Sequence, residues 1–438
     1  MKNLRWVMIG LIATITVINY IDRNALAVMW PEMSKDLGMD ADDYAWIVAI
    51  FTLGYGIGQT MFGKILDMIG TRLGFVLAVV VWSISIMLHA VTRTVAGFSL
   101  ARFGLGIGEA GNWPGATKNN AEWFPIKERA LAQGIFNSGA SLGAVISAPL
   151  IAWLYLLFGW QGTFVLVGLL GFVWLVPWLW IYKAPPDRHP WLTAEEKEYI
   201  LSGQKVEETA EEALAPGWME MMRYKQSWSV IASRFFLDPI WWLFVAWLPL
   251  YLADEFGFDI KQIGLYGWVP YVGAMVGALF GGWLAGALLR KGWTVNATRK
   301  FTITLGAVFM LPTLIATAFA ATPLLAVLLM AVILFGFQIS IGNIQTLPSD
   351  FFSGKSVGSL AGVGGTAAIA STFVITLIVP RITEVSYVPF FMLGASLVPL
   401  ALLSVWFFGG NIEPVSSGQG AQSNDQSSNQ PPNQPSNQ

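Results

Sequence analysis

"LRWVMIGLIATITVINYIDRNALAVMWP" (residues 4–31) decides how this chain is read. Between Arg5 and Asp22 it holds no charged residue, and then Asp22 and Arg23 stand side by side. A run of about 20 apolar residues is what a helix needs to cross the hydrocarbon of a bilayer. The run is too long for the apolar core of a cleavable leader, and no small-residue cleavage site follows it. It is expected to stay as a first transmembrane helix, with a carboxylate and a guanidinium buried near its end.

Composition extends that reading to the whole chain. Of 438 residues, 55% are hydrophobic and 12% charged, where a soluble domain carries roughly 25% charge. So little charge cannot clothe a water-facing surface of this length, so the lipid bilayer is the main solvent. The 21 Trp and 11 Tyr suit two membrane–water interfaces. A net charge of −2 with no strongly basic half argues against a nucleic-acid partner. The absence of Cys excludes disulfides, thiolate metal sites and Cys nucleophiles. With only His89 and His189, no His-based metal set or Ser–His–Asp triad is expected, and no cofactor beyond protons.

Twelve spans are expected, near 6–30, 44–62, 73–92, 96–118, 130–153, 162–182, 228–252, 262–289, 301–320, 323–347, 356–380 and 386–409. The reading is an all-α membrane protein of twelve transmembrane helices in two pseudo-symmetric six-helix bundles, 1–182 and 228–409. A polar loop, 183–227, joins them. It contains "EETAEEA", a short solvated helix or linker, and Thr193 with Glu196 three residues on, which is a capping-box pattern. The tail 410–438, rich in Ser, Asn, Gln and Pro, is expected to be disordered. Eighteen of the 25 Lys and Arg fall in the N-terminus, the even-to-odd loops and the central loop. Only Lys35, Arg93, Lys261 and Arg381 fall on the other side. The positive-inside rule then places both termini in the cytoplasm.

Internal repetition supports the two halves. "EWFPIKERALAQGIFNSGASLGA" (122–144) aligns with "DFFSGKSVGSLAGVGGTAAIA" (350–370), and "GKILDMIGTR" (63–72) has a weaker echo in "GWLAGALLRK" (282–291). Parallel repeats of this kind place a substrate path at their interface, near the bilayer midplane.

The ionisable residues inside spans carry the functional reading, because each is expensive in hydrocarbon and usually faces a cavity. They are Asp22 and Arg23 on the first span, Arg102 and Glu109 on the fourth, and Arg234 and Asp238 on the seventh. Seven and four residues are spacings that share one helical face. The plain alternative is structural pairs that satisfy one another. The functional alternative uses Arg as a two-pronged clamp for a carboxylate. A carboxylate in low dielectric nearby would bind a proton near neutral pH. Together they load an organic anion with a proton. Asn19, Tyr20, Tyr55, Gln59, Asn112, Trp241, Trp242, Asn343 and Gln345 offer hydroxyl-binding groups and flat rings, with packing as the competing role. The small residues of "GIGEAGNWPGA" (106–116) and "NSGASLGAVISAP" (137–149) read as close helix packing, and Pro114 as a bend beside Glu109. Neither "GLGIGEAG" nor "GVGG" follows a strand, which rejects nucleotide binding.

The sequence resembles the major facilitator superfamily, within it the anion:cation symporter family, and most closely the bacterial hexuronate transporters. The resemblance covers nearly all of residues 1–410. The superfamily loop motif appears as "GKILDMIGTR", with Gly63, Asp67, Gly70 and Arg72 in place; its second-half copy has Gly286 where an acid often stands. More specific are "NYIDRN", "HPWLTAEEKEYILSGQ" and "SRFFLDPIWWLFVAWLPLYL". "LTAEEKEYI" and the Asp-Pro of "RFFLDPIWW" point to the hexuronate branch. The resemblance implies proton-coupled import of an acidic sugar across the bacterial cytoplasmic membrane by two rocking bundles. The chain is expected to act as a monomer. It implies that Arg23 grips the substrate carboxylate. Asp22 and Glu109 would take protons, with Arg102 regulating Glu109, and Tyr20, Tyr55 and Arg234 would line the sugar site. The competing functions are symport of another organic anion such as glucarate, galactonate or an aromatic acid, export on the same scaffold, and a membrane enzyme or transport-dead sensor.

Overall fold

Inside hydrocarbon a backbone must close its hydrogen bonds along itself, and a helix does so. The computed structural model describes residues 3–202, 218–352, 355–413 and 415, and nearly all of them are helical. The first span is α1 (Leu4–Leu37). Its 34 residues would reach about 50 Å at 1.5 Å per residue, so it extends past a 30 Å hydrocarbon layer. The second and third spans form α2 (Ala41–Leu88), reversed at Gly70 with φ 79° and ψ 165°. That left-handed region is open to Gly and strained for other residues, which explains Gly70 in the loop motif. The fourth span is α3 (Val95–Ala110) followed by α4 (Asn112–Trp123). The break falls at Gly111, whose N–H bonds back to Gly108 O at 3.1 Å. Pro114, four residues after Ala110, has no N–H to continue the ladder, so the turn tightens just beyond Glu109. The fifth and sixth spans form α5 (Ile126–Ile181), reversed at Gly159 with φ 67°.

Two short helices of the central loop follow, α6 (Ala194–Ser202) and α7 (Trp218–Met221). The "EETAEEA" segment lies outside the described residues. The second half comprises α8 (Lys225–Phe256), α9 (Ile260–Tyr266) with α10 (Val269–Arg290), α11 (Val295–Thr317), α12 (Pro323–Ile344) with the short α13 (Leu347–Phe351), α14 (Lys355–Thr383) and α15 (Val388–Gly409). These are twelve crossings. The tail beyond 415 is outside the described residues. An even number of crossings puts both chain ends at one face, the termini face; the other is the opposite face.

Packing is densest inside each half: α1 on α5 and α2 on α3 in the first, α10 and α11 on α12 and α8 on α14 and α15 in the second. The small-residue stretch of α5 lets α1 come close. A Cβ at Gly143 would lie 2.7 Å from Val17 O. Between halves, α1 meets α8, α2 meets α14, and α5 meets α9 and α10. At the opposite face Tyr44 Oη donates to Ala246 O, and the Tyr44 ring meets Trp30 tilted at 4.8 Å and Trp247 edge-on at 5.2 Å. That cluster ties α1 and α2 to α8.

The termini face repeats one device in both halves. Glu122, at the end of the fourth span, accepts from Thr71 Oγ1 at 2.8 Å and Tyr182 Oη at 2.6 Å. Its repeat counterpart Asp350 accepts from Arg299 Nε at 2.8 Å. Each carboxylate pins the head of the span that precedes its own. The central loop adds a clamp in the first half. Thr193 Oγ1 accepts from Glu196 N at 3.4 Å, as a cap. The Glu196 carboxylate does not reach back, as a full capping box requires. It accepts instead from Leu4 N and from Arg5 Nη1, the latter at 2.8 Å. Arg5 Nε also bonds Glu128, at the head of α5.

Candidate functional site

Arg23 occupies the middle of the first half. Its Nε donates to Glu109 Oε2 at 2.9 Å, with both side chains buried. Its Nη2 donates to Asn19 Oδ1 at 3.2 Å, one turn back on α1. Four rings surround the guanidinium carbon: Tyr20 at 4.9 Å, Tyr55 at 4.9 Å, Trp242 at 5.0 Å and Phe51 at 5.6 Å. Cation–π attraction is strongest where the cation is desolvated, so the rings hold the guanidinium whether or not a carboxylate is present. Three rings come from the first half and Trp242 from α8 of the second.

Arg102 lies beside this pair, with Nη1 donating to Arg23 O at 3.3 Å and its guanidinium 5.6 Å from Phe51. Arg23 and Arg102 line one narrow cavity of about 30 Å³ between the halves. Its other walls are Tyr44, Phe51 and Thr52 of α2, Trp242 and Ala246 of α8, and Thr372 and Thr376 of α14. Thr52 and Thr372 donate to the carbonyls four residues back, so each hydroxyl keeps lone pairs for an incoming donor. Two guanidinium groups, ring faces and hydroxyl acceptors meet in one chamber: a setting for a carboxylate on a hydroxylated body.

Two carboxylates stand behind the cavity wall. Glu109 Oε1 and both oxygens of Asp22 are buried without a protein hydrogen-bond partner, as is Arg102 Nε. An orphaned buried polar atom is costly, and a carboxylate oxygen so placed is the atom where a proton adds with least rearrangement.

The remaining sequence expectations sort by location. Asn19, Tyr20, Asp22, Arg23, Tyr55, Arg102 and Glu109 converge. Asn112 faces α1 instead, donating to Thr16 Oγ1 at 3.0 Å. Trp241 stacks on Phe337 at 5.8 Å and meets Tyr271 at 5.9 Å within the second half, and its side chain also reaches Tyr20 of α1; the ring over Arg23 is its neighbour Trp242. Arg234 does not join the cavity. It binds Asp238 one turn along α8 at 2.7 Å and Ala361 O on α14 at 3.2 Å, with Gln59 of α2 near the same α14 glycines. Asn343 is also elsewhere: its Oδ1 accepts from Arg299 Nη1 at 3.1 Å, beside Asp350. In the loop motif, Gly70 makes the reversal, Gly63 has open space around it, and Arg72 Nη2 donates to Leu179 O at 3.1 Å. The side chain of Asp67 lies outside the described residues. Sequence reasoning missed Tyr44, Phe51, Thr52, Thr372 and Thr376. The signals were there: Phe51 four residues before Tyr55, and two Thr four apart in an apolar span.

Comparison with known proteins identifies the family and the fold. The model of the Major Facilitator Superfamily matches residues 12–376. The hexuronate transporter of Escherichia coli (strain K12) is 34% identical over 409 residues, 92% of this chain and 94% of that protein. The galacturonate transporter of Dickeya chrysanthemi is 36% identical over 312 residues, 71% of this chain and 90% of its own. Among solved structures, an inward-facing, unoccupied bacterial homologue of the human lysosomal transporter Spinster superposes with a TM-score of 0.69. That match has 17% identity and covers 94% of this chain and 96% of the other.

Proposed function

This chain belongs to the Major Facilitator Superfamily and is a multi-pass membrane transporter rather than an enzyme; from that premise we propose that it imports an acidic sugar, a hexuronate such as galacturonate or glucuronate, together with protons. The observation that carries this reading is the buried Arg23–Glu109 pair at 2.9 Å, whose cation also lines the cavity between the halves. The names of the relatives at 34% and 36% identity support the substrate class.

The mechanism is an exchange of partners. With Glu109 ionised, Arg23 is paired and the pair is internally neutral. A proton on Glu109 removes its charge and frees the guanidinium fork for the substrate carboxylate. A lone buried Arg23 charge would be strongly unfavourable, so protonation of Glu109 and arrival of the substrate carboxylate are coupled. Asp22 is a second proton acceptor, and Arg102 biases both carboxylates from the cavity side. The Thr hydroxyls accept from sugar hydroxyls, and the aromatic rings cover the sugar's C–H faces. Residues 1–182 and 228–409 rock as two bodies around this point, joined by 183–227, so that the cavity faces one side at a time.

The chain works as a monomer in the bacterial cytoplasmic membrane with both termini inside; the eighteen basic residues on the termini side against four opposite support that orientation. The test is uptake of labelled galacturonate and glucuronate into proteoliposomes under an inward acid gradient. Accumulation above equilibrium, competed by unlabelled hexuronates, is expected. Accumulation of an aromatic acid alone, or outward movement under the same gradient, would refute the reading.

A further inference from the structure

We propose that the groove between α11 and α15 at the termini face holds the headgroup of an anionic phospholipid from the adjoining leaflet. The groove is lined by Asn296, Lys300, Phe301, Thr304 and Trp406. Its parts are fixed in place. Trp406 Nε1–H donates to Thr304 Oγ1 at 3.3 Å, and the Lys300 ammonium sits 4.9 Å from the Trp406 ring. Trp293 closes the rim, 5.5 Å from Phe301.

Charge chooses the occupant. The turn "RKGWTVNATRK" (290–300) holds four cations and no acid. Arg299 is taken by Asp350. Arg290, Lys291 and Lys300 have no carboxylate partner among the described residues. Trp residues mark the headgroup level of a membrane, and basic residues there attract anionic lipid. Toward the bilayer interior, Val308 on α11 and Leu403 on α15 are each 59% exposed, an apolar surface for acyl chains.

The first half shows what fills such a corner when protein does it. At the matching end of the sixth span, residues of the central loop pack on the helix. There Lys183 lies 4.1 Å from the Trp191 ring and Trp191 packs on Trp180 at 5.6 Å. The second half presents the same cation-on-indole pair, Lys300 on Trp406, with the indole 49% exposed.

The test is lipid retention by native mass spectrometry and the melting midpoint in nanodiscs of phosphatidylcholine, with and without phosphatidylglycerol. Phosphatidylglycerol should be retained and should raise the midpoint. Lys300→Glu should weaken retention about fivefold or more while substrate exchange persists. Lys300→Gln serves if the reversal does not fold. Trp406→Phe should keep retention and Trp406→Ala lose it, with Lys261→Glu at the opposite face as the unchanged control. Equal retention by wild type and Lys300→Glu, or no difference between the two lipids, overturns the proposal. So does stabilisation by inorganic phosphate alone, or a change of oligomer mass in place of lipid count, which would assign the groove to a second copy.

Discussion

In the first half Arg23 reaches from α1 across to Glu109 on α3, whereas in the second half Arg234 closes on Asp238 one turn along its own helix. The two pairs look alike in sequence and differ in what they can do. A pair within one helix survives any movement of that helix as a rigid body. Both pairs keep a buried carboxylate oxygen without a partner; a pair between helices whose cation lines a cavity can trade partners. In the proposed mechanism the charge that exchanges partners sits in the first half, and the second half brings the Trp242 ring and the α14 hydroxyls to it.

The sharpest way to break this contrast is to neutralise the two acids in turn. Glu109→Gln should abolish gradient-driven accumulation while leaving exchange of substrate for substrate. Asp238→Asn should leave accumulation in place and lower only the melting temperature. Equal losses would erase the distinction. Next come the two cations. Arg23→Ala should weaken substrate binding about 100-fold, as expected for removing one partner of a buried charge pair. Arg23→Lys should recover part of that, since it keeps charge without the planar fork. Arg234→Ala should change affinity by no more than about threefold, consistent with an i,i+4 pair; isothermal calorimetry reads all three.

Adjacent tryptophans sharpen the comparison further. Trp242→Ala should weaken binding about three- to thirtyfold through lost cation–π contact. Trp241→Ala should mainly lower thermal stability by leaving a hole beside Phe337 and Tyr271. A binding loss confined to the 241 variant would place the wrong ring over Arg23. The smallest effect is expected at the seal. Tyr44→Phe removes the bond to Ala246 O, worth about 1 kcal/mol, and should speed labelling of an Ala27→Cys probe from the opposite face about fivefold. The chain has no native Cys, so the probe reports cleanly.

The twelve spans were legible because hydrocarbon imposes length and apolarity on every crossing, and Gly70 and Gly159 mark two of the reversals. Arg23 and Glu109 were legible because charge in a span is rare enough to stand out. The partners were harder. Trp241 and Trp242 are one residue apart, about 100° around a helix, and nothing local tells which faces the other half. Arg234 and Asn343 have the chemistry of a binding site, but neighbours four residues on, or on a packed helix, had already taken them. Glu196 looked like a cap, and only tertiary contact turns its carboxylate toward Leu4 and Arg5.

The partner exchange at Arg23 is tested most directly by the proton itself. Purified protein in weak buffer near neutral pH is mixed with galacturonate, and the pH change is recorded. Net proton uptake on binding, absent in Glu109→Gln, is the predicted result. Full-affinity binding by the wild type with no proton taken up would contradict the account.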